Sequence, residues 1–554
     1  MRVFIFHFPS DIYHLSLKKA APSDGKWKMK TPHYFWLTAF TLVALSFTLI
    51  ACSTTAMQSG RVFYVDSVAG DDTRSGISPD SAWKSLSKVN GTVFSPGDKI
   101  LFKAGSTWEG QLWPKGSGRD GFPITIDKYG DGPKPIIHCE GEAEDAVLLK
   151  NQEYWEIQNL EITNTGAGEA KRRGVHVASI DYGDMRHIYL RSLTIHDVNG
   201  IDSDKVNGGI HYTSHGDARP SRFVDLRIEN NHIYRVDRNG IFGWSSHWVR
   251  AKWHPSLGVV IRNNRLDDIG GDGIVAVATN GALVEHNVVS RANQRSEGYN
   301  VAIWAWSADN TVIQYNEAYL TKGERDGEGF DSDWNSQNTI IQYNYSHDNE
   351  GGFLLICNEG GHTPASSIGN IGTIVRYNIS QNDHNRGINI AGPVKNTIIY
   401  NNTIYVGKGE KVDLVLHSDW HGWADNTAFY NNIFYVDGAG KFGYGLSRKD
   451  NGHYDTAPGF GRSTNNLFDS NVYFGIGQRP EDRNGLIADP LLLGAGTAGI
   501  GRKTASVYGL RSGSPAIDSG RIVSEDQAKD FFGSPVPFCS GRDRGAVEYP
   551  RCVQ

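Results

Sequence analysis

The 554-residue chain carries 55 Lys/Arg against 61 Asp/Glu, 64 glycines and 20 prolines, and 39% of its residues are hydrophobic. That composition is too apolar and turn-rich for a disordered chain, and the absence of a basic run leaves nothing to grip a nucleic-acid backbone. A formal net charge of −6 weakly disfavours a strongly polyanionic ligand as well, unless a local basic groove is built into the acidic whole.

In chain order, the first feature is an uncharged apolar run from Phe35 to Ala51, preceded by Lys26, Lys28 and Lys30. A basic stretch, a short apolar stretch and small residues at the cut read as a signal peptide. The ending Leu49-Ile50-Ala51-Cys52 resembles the bacterial lipobox. That resemblance implies cleavage after residue 51, diacylglycerol on Cys52, a linker over residues 52–60 and, because Ser53 follows the cysteine, sorting to the outer membrane. A plain transmembrane anchor is the alternative, although the run is barely long enough to span. Removing residues 1–51 takes away six Lys/Arg and two Asp/Glu and leaves a net charge of −10. Cys539 and Cys552 bracket a short C-terminal loop and would form a disulfide in an oxidising compartment, whereas Cys139 and Cys357 sit in apolar stretches and read as buried core thiols.

From Phe63 to Leu86 the sequence offers a strand, a polar loop and a short helix. An internal repeat follows, in which a β-branched or apolar pair leads into asparagine: Asn264, Asn287, Asn316, Asn344, Asn378, Asn402 and Asn432, with weaker copies at Asn159 and Asn230. Spacings of roughly 20–50 residues mean stacked supersecondary units. Short β-type runs between Gly/Asn/Asp turns, an uneven period and a constant asparagine predict an all-β, right-handed parallel β-helix whose coils vary in length. The asparagines would stack coil on coil as a hydrogen-bonded ladder, Asn316 on Asn344 among them, and serve structure rather than chemistry. The body runs from about residue 120 to residue 480. An N-terminal cap over residues 61–120 and a C-terminal cap over residues 485–549, with Gly513-Ser-Pro-Ala-Ile-Asp-Ser-Gly520 and Asp543-Arg-Gly-Ala-Val-Glu-Tyr549, would close the core.

With these opening and closing segments around the repeat, residues 61–549 resemble the pectate-lyase-like superfamily of β-helix carbohydrate-active enzymes. The resemblance implies a polysaccharide partner. It does not choose among hydrolases, lyases and non-catalytic binders.

The densest polar constellation is Lys322-Gly-Glu-Arg325-Asp326-Gly-Glu328-Gly-Phe330-Asp331-Ser-Asp333-Trp334. With Phe330 and Ser332 turned inward on a strand, Asp331 and Asp333 point outward together, their Cβ atoms ~6–7 Å apart from the rise per residue. Such a pair, with Glu328, suits the acid and base of a glycosidase, and that spacing suits an inverting one. Nearness of like charges would raise one pKa. A solvated acidic turn is the bland alternative. Trp304 and Trp306 share a face one coil earlier and, if outward, make a platform for sugar rings with Trp334; a one-residue slip would bury them in the coil. Lys322, Arg325, Asn358 and Glu359 are further candidate sugar contacts, and His347 with Glu350 form a second candidate catalytic pair. Asp272, at a similar junction two coils earlier, reads as a turn residue. Longer loops bring His211, His215, Trp244, His247, Trp248, Trp253 and His254 on one side, and Asp413, His417, Asp419, Trp420, His421 and Trp423 on the other, as possible cleft walls.

Three functions fit. A hydrolase needs only paired carboxylates and no cofactor. A lyase acting on a uronate would use Lys322 or Arg325 as base, with Asp326, Glu328, Asp331 and Asp333 as oxygen ligands of Ca²⁺. A monomeric surface glycan-binding protein needs neither. The acidic total and the neighbouring tryptophans favour the hydrolase. For the anchor, mass spectrometry of the mature protein is expected to find lipid on Cys52, and Cys52→Ala to yield a soluble or uncleaved form; an intact 1–51 segment on the mature wild type overturns this reading.

Overall fold

A computed structural model describes residues 60–323, 325–449, 452–523, 529–538 and 540–551. The segment read as a signal peptide, Cys52, and both Cys539 and Cys552 lie outside the described residues. Among the described residues the strands fall into three long sheets of 18, 14 and 12 strands, parallel throughout except for a closing antiparallel hairpin, Ala439–Arg448 with Tyr454–Pro458. The chain winds as a right-handed parallel β-helix. One coil shows the plan: Ile303–Trp306 in the 12-stranded sheet, Val312–Gln314 in the 18-stranded sheet, Glu317–Tyr319 in the 14-stranded sheet, then Glu328–Ser332 back in the first.

The bend between the second and third strand of each coil is where the repeat acts. At Tyr315, Tyr343 and Tyr377 the backbone adopts φ of 55°, 58° and 51°, and the next residue is the ladder asparagine. Asn316 donates both its backbone N–H and its Nδ2 to Asn344 Oδ1, at 2.9 and 3.0 Å, and Asn344 does the same to Asn378, at 2.9 and 3.0 Å. The second Nδ2 hydrogen finds a strand carbonyl, Val284 from Asn316 and Ile313 from Asn344. The ladder runs from Asn231 through Asn264, Asn287, Asn316, Asn344, Asn378, Asn402 and Asn432 to Asn471, where Asp482 ends it at 2.8 Å. Two of the weaker repeat copies are corrected. Asn230 and Asn159 occupy positive-φ bend positions (59° and 57°), and Asn231 is the ladder member.

The interior is stacked aliphatic and aromatic: Ile303, Phe330, Leu354 and Ile388 form one inward row of the 12-stranded sheet, all with no exposure. At the N-terminal end a short helix, Leu86–Asn90, capped by Ser85 through Lys88 N–H at 3.1 Å, turns Leu86 and Val89 onto the core. The C-terminal segment does not close an end. It runs back along the outer face of the 14-stranded sheet, packing Leu492, Tyr508, Leu510, Phe531 and Val547 on Tyr345, Ile379, Tyr405, Ile433 and Val472. That face is apolar on its outside as well as its inside, so a strap along the flank buries more of it than a lid over the end would. No helix among the described residues is long and apolar enough to cross a membrane.

Because each ladder oxygen serves two buried donors, Asn344→Ala strands Asn316 N–H and Nδ2 together. At roughly 1–3 kcal/mol for each buried group left unpaired, a loss of about 2–5 kcal/mol in stability is expected. The check is the denaturant midpoint; an unchanged midpoint overturns the ladder's role.

Candidate active site

The site is built by register on the outer face of the 12-stranded sheet. Val275, Trp304, Asp331, Leu355 and Asn389 are Cα partners from strand to strand, and their inward neighbours are core residues, so all five point outward. One step along, Trp306, Asp333 and Cys357 continue that face. The expected outward Asp-x-Asp strand is therefore present. Its carboxyls lean together, however: one oxygen of each and Cys357 Sγ all lie within 4.8 Å of one another. That is closer than the ~6.5–9.5 Å an inverting pair needs to hold a water between its members.

Asp331 is sealed, at 3% exposure. Burial first, then the charges of Asp333, Asp326, Glu328 and Asp272, hold its pKa well above the usual carboxylate range. Asp333 remains partly open to solvent and is pushed up to about 7, chiefly by burial; the Cys357 thiol and the Trp334 N–H pull against that push. Trp334 N donates to Asp333 Oδ1 at 2.7 Å, and Cys357 Sγ lies 2.9 Å from the same oxygen. Cys357 is thus buried, as the sequence suggests, but it faces the site and not the coil interior. Asp326, at the bend before the strand, is also partly open, 18% by side chain. Burial raises its pKa against the pull of Arg448 and Arg386, and Arg448 Nη2 lies 3.7 Å from its Oδ1. Glu328 is wholly buried, pushed up to about 7 by burial, and paired with Arg386 at 3.1 Å. It anchors an arginine inside the wall and meets no solvent, which corrects the expectation that it takes part in chemistry.

One wall is cationic and aromatic. Lys205 donates to Asp272 Oδ2 at 2.9 Å and to Tyr299 O at 2.8 Å, and stands 5.1 Å over the Trp304 ring. Asp272 is more than a turn residue, since its other oxygen takes the Trp304 indole N–H at 3.0 Å and so fixes that ring. Arg448 comes from the closing hairpin, four strands away in the sheet, to reach Asp326, the Arg325 carbonyl and the Tyr299 ring. The other wall is a loop pinned by Arg250 to Asp309, at 2.9 and 2.6 Å, and to Asn335 O. It lays Trp248 beside Trp306 and Trp334. Trp304 and Trp306 face outward, yet each is only 8% exposed, packed with Trp244, Trp248 and Trp253. They are a wall and not an open platform; Trp334, half-buried and stacked on His362 at 4.6 Å, keeps a ring at the cleft.

Several expected residues lie elsewhere. His347 belongs to the 14-stranded sheet, beneath the C-terminal strap: it meets Glu317 at 3.2 Å and Asp348 at 2.7 Å and stacks on Tyr319, and those two carboxylates outweigh burial to raise its pKa to about 9. Glu350 is exposed at the following bend, where it accepts from Gly323 N at 2.7 Å. Lys322 is exposed on the same loop, its carbonyl held by Asn293, and Arg325 is exposed, donating to Glu297 O at 3.0 Å. Asn358 is buried and donates to Pro393 O at 3.0 Å; Glu359 is on the rim, 3.1 Å from His362 and 3.9 Å from His421. Of the outlying loop residues, Trp420 packs on Leu355, Cys357 and Ala391, while His417 points into the coil, its pKa driven down to about 3 by burial.

The four carboxylates that would hold Ca²⁺ in a lyase do not form its six-to-eight oxygen shell. Glu328 is paired with Arg386 and Asp326 faces Arg448, and the remaining trio includes a thiol.

A family model described as right handed beta helix region matches residues 208–371. That match and the stacked parallel sheets agree on a right-handed parallel β-helix. A lacto-N-biosidase of Bifidobacterium longum subsp. longum is 29% identical to this β-helix over 615 residues, covering 89% of this chain and 37% of that protein. The crystal structure of a GH136 lacto-N-biosidase from Eubacterium ramulus superposes with a TM-score of 0.54 at 28% identity, over 63% of this chain and 64% of that one; its native form gives 0.53 at 27% identity. This β-helix therefore spans little more than a third of the curated relative's length.

Asp331 holds an extra proton in the fold between the unfolded value of ~3.9 and its own raised pKa, so stability falls as pH rises through that window, by up to ~1.4 kcal/mol per pH unit. Asp331→Asn removes this slope. Its melting temperature relative to wild type is expected to climb as the pH is raised above about 4, and a difference that stays flat contradicts the assignment.

Proposed function

We propose that this β-helix is a glycoside hydrolase acting on a glycan from a lipid-anchored position in the cell envelope. The observation that carries the reading is a convergence of carboxyls in a tryptophan-walled cleft, of which, among the described residues, Asp326 and Asp333 reach solvent. Asp331 is sealed, with burial raising its pKa, so it supports its neighbour and does not touch substrate. Asp333 is then the carboxylate acting at the anomeric carbon. Asp326, with its raised pKa, is the acid that gives its proton to the departing glycosidic oxygen, and water completes the hydrolysis. Trp334 offers an indole face to a sugar ring, while Trp304 and Trp306 hold the cleft's shape. The names of the relatives support the same reaction class. The lyase alternative is less well supported: its candidate base Lys322 is exposed on a bend, and two of its four Ca²⁺ carboxylates, Glu328 and Asp326, face arginines.

A chromogenic aryl lacto-N-bioside, followed by a plant and algal polysaccharide panel, is the screen. New reducing ends without near-ultraviolet absorbance are expected; an unsaturated product makes the protein a lyase, and binding without turnover makes it a lectin-like protein. On the first substrate found, Asp333→Asn and Asp326→Asn are each expected to lose ~10²–10⁴ in rate with no fall in melting temperature, while Glu350→Gln keeps full turnover. Wild-type rates in both Asn variants refute the pair.

A further inference from the structure

Two carboxyls within 4.8 Å in a water-poor site do not ionise together, so something must decide which one gives up its proton. Burial favours the proton on the sealed Asp331, and donors on Asp333 complete that choice. Asp333 Oδ1 receives the Trp334 N–H and the Cys357 thiol, at 2.7 and 2.9 Å. The same thiol comes no nearer than 4.0 Å to Asp331 Oδ1. We propose that Cys357 is a positioning residue, whose S–H holds Asp333 in its reacting orientation and makes it, not Asp331, the ionised member of the pair. This rests on the hydrolase reading given above.

The setting suits a thiol used only as a donor. Cys357 is 2% exposed, packed with Leu355, Ala391 and Trp420, and out of reach of oxidants and alkylating reagents. Burial, followed by the two adjacent carboxyls, pushes its own pKa well above the usual thiol value, so it stays protonated wherever the enzyme works. The contrasting thiol, Cys139, faces the coil interior and meets only the carbonyls of Ala143 and Asp145. The other charged groups around the pair are Asp272, Asp326 and Glu328, the cations Lys205, Arg386 and Arg448, and Glu359 with His362 on the loop after Cys357. All of them remain in the variants below.

The test has two arms. Infrared spectra of the whole protein, with Cys357→Val as the blank, isolate the Cys357 S–H stretching band. The band is expected to move as Asp333 titrates and to lose that movement in Asp333→Asn; a band that ignores both pH and Asp333→Asn overturns the proposal with no substrate needed. The kinetic arm compares pH profiles of kcat/KM. Cys357→Val is expected to shift the acidic limb upward by about one pH unit, a loss of about tenfold at the acidic end, from one hydrogen bond to a charged group. Cys357→Ser, which restores an O–H donor, is expected to return the profile toward wild type. An unshifted limb in Cys357→Val overturns the positioning role even when the infrared band responds, and leaves the hydrolase reading standing. An inactive wild type with a responsive band fails the hydrolase reading alone.

Discussion

Everything in this molecule depends on the pair of hydrogen bonds that one buried asparagine accepts from the asparagine of the preceding coil. Bends elsewhere in a chain leave backbone groups for water to satisfy; here, inside the bend, Oδ1 takes two donors and Nδ2 returns two, so nothing polar is left over. The spacing between ladder members varies from 23 to 39 residues without altering that geometry. Coil length is therefore free to change while the bend stays fixed. The variable residues leave as loops, and the strands of the 12-stranded sheet stay in register beneath them. A functional face made of Trp304, Asp331 and Leu355, each from a different coil, exists only because that register is held.

The electrostatics of the cleft follow from crowding. Asp272, Asp326, Glu328, Asp331 and Asp333 share one neighbourhood with three cations, Lys205, Arg386 and Arg448. Glu328 and Asp272 are fully buried and matched to particular cations, which spend their charge on scaffolding. The excess negative charge falls on the carboxyls in the cleft, where it is partly relieved by protonation. On the hydrolase reading, a site with surplus negative potential and an exchangeable proton would favour a transition state that develops positive charge on a sugar ring.

Much of this was legible before any coordinates. The asparagine period named the fold, and alternation along Phe330-Asp331-Ser332-Asp333 was enough to turn both aspartates outward, because a strand has only two faces. What stayed hidden has a common physical cause. Lys205, Arg386 and Arg448 reach the acidic strand from loops and strands 53 to 128 positions away in the chain, and no local pattern marks them. Cys357 looks like a core residue because Leu355 and Cys357 are as apolar as their inward neighbours; the outer face of that strand is itself covered by Trp420. His347, by contrast, was placed near the site by sequence proximity alone. A coil of a β-helix turns through three sheets, so some 15 residues of separation is enough to put a side chain on another flank. Asn230 and Asn231 show the same limit at single-residue scale: only the backbone dihedral tells the bend residue from the ladder residue.

The C-terminal strap carries a temporal consequence. Gly501 N reaches Glu317, Arg502 reaches the Tyr343 carbonyl, and Gly545 reaches the Asn431 carbonyl. Coils can form one upon another as the polypeptide leaves the ribosome, each using its predecessor as a template, since a ladder asparagine needs only the coil beside it. The strap has no such neighbour-to-neighbour route. It can dock only over a flank that earlier coils have already finished, so until the strap itself has been made Tyr345, Ile379 and Ile433 form an uncovered oily stripe. The nascent chain is thus most prone to stick to its own kind once the coils are made and the strap is not, and the strap acts as an intramolecular chaperone for the surface it covers.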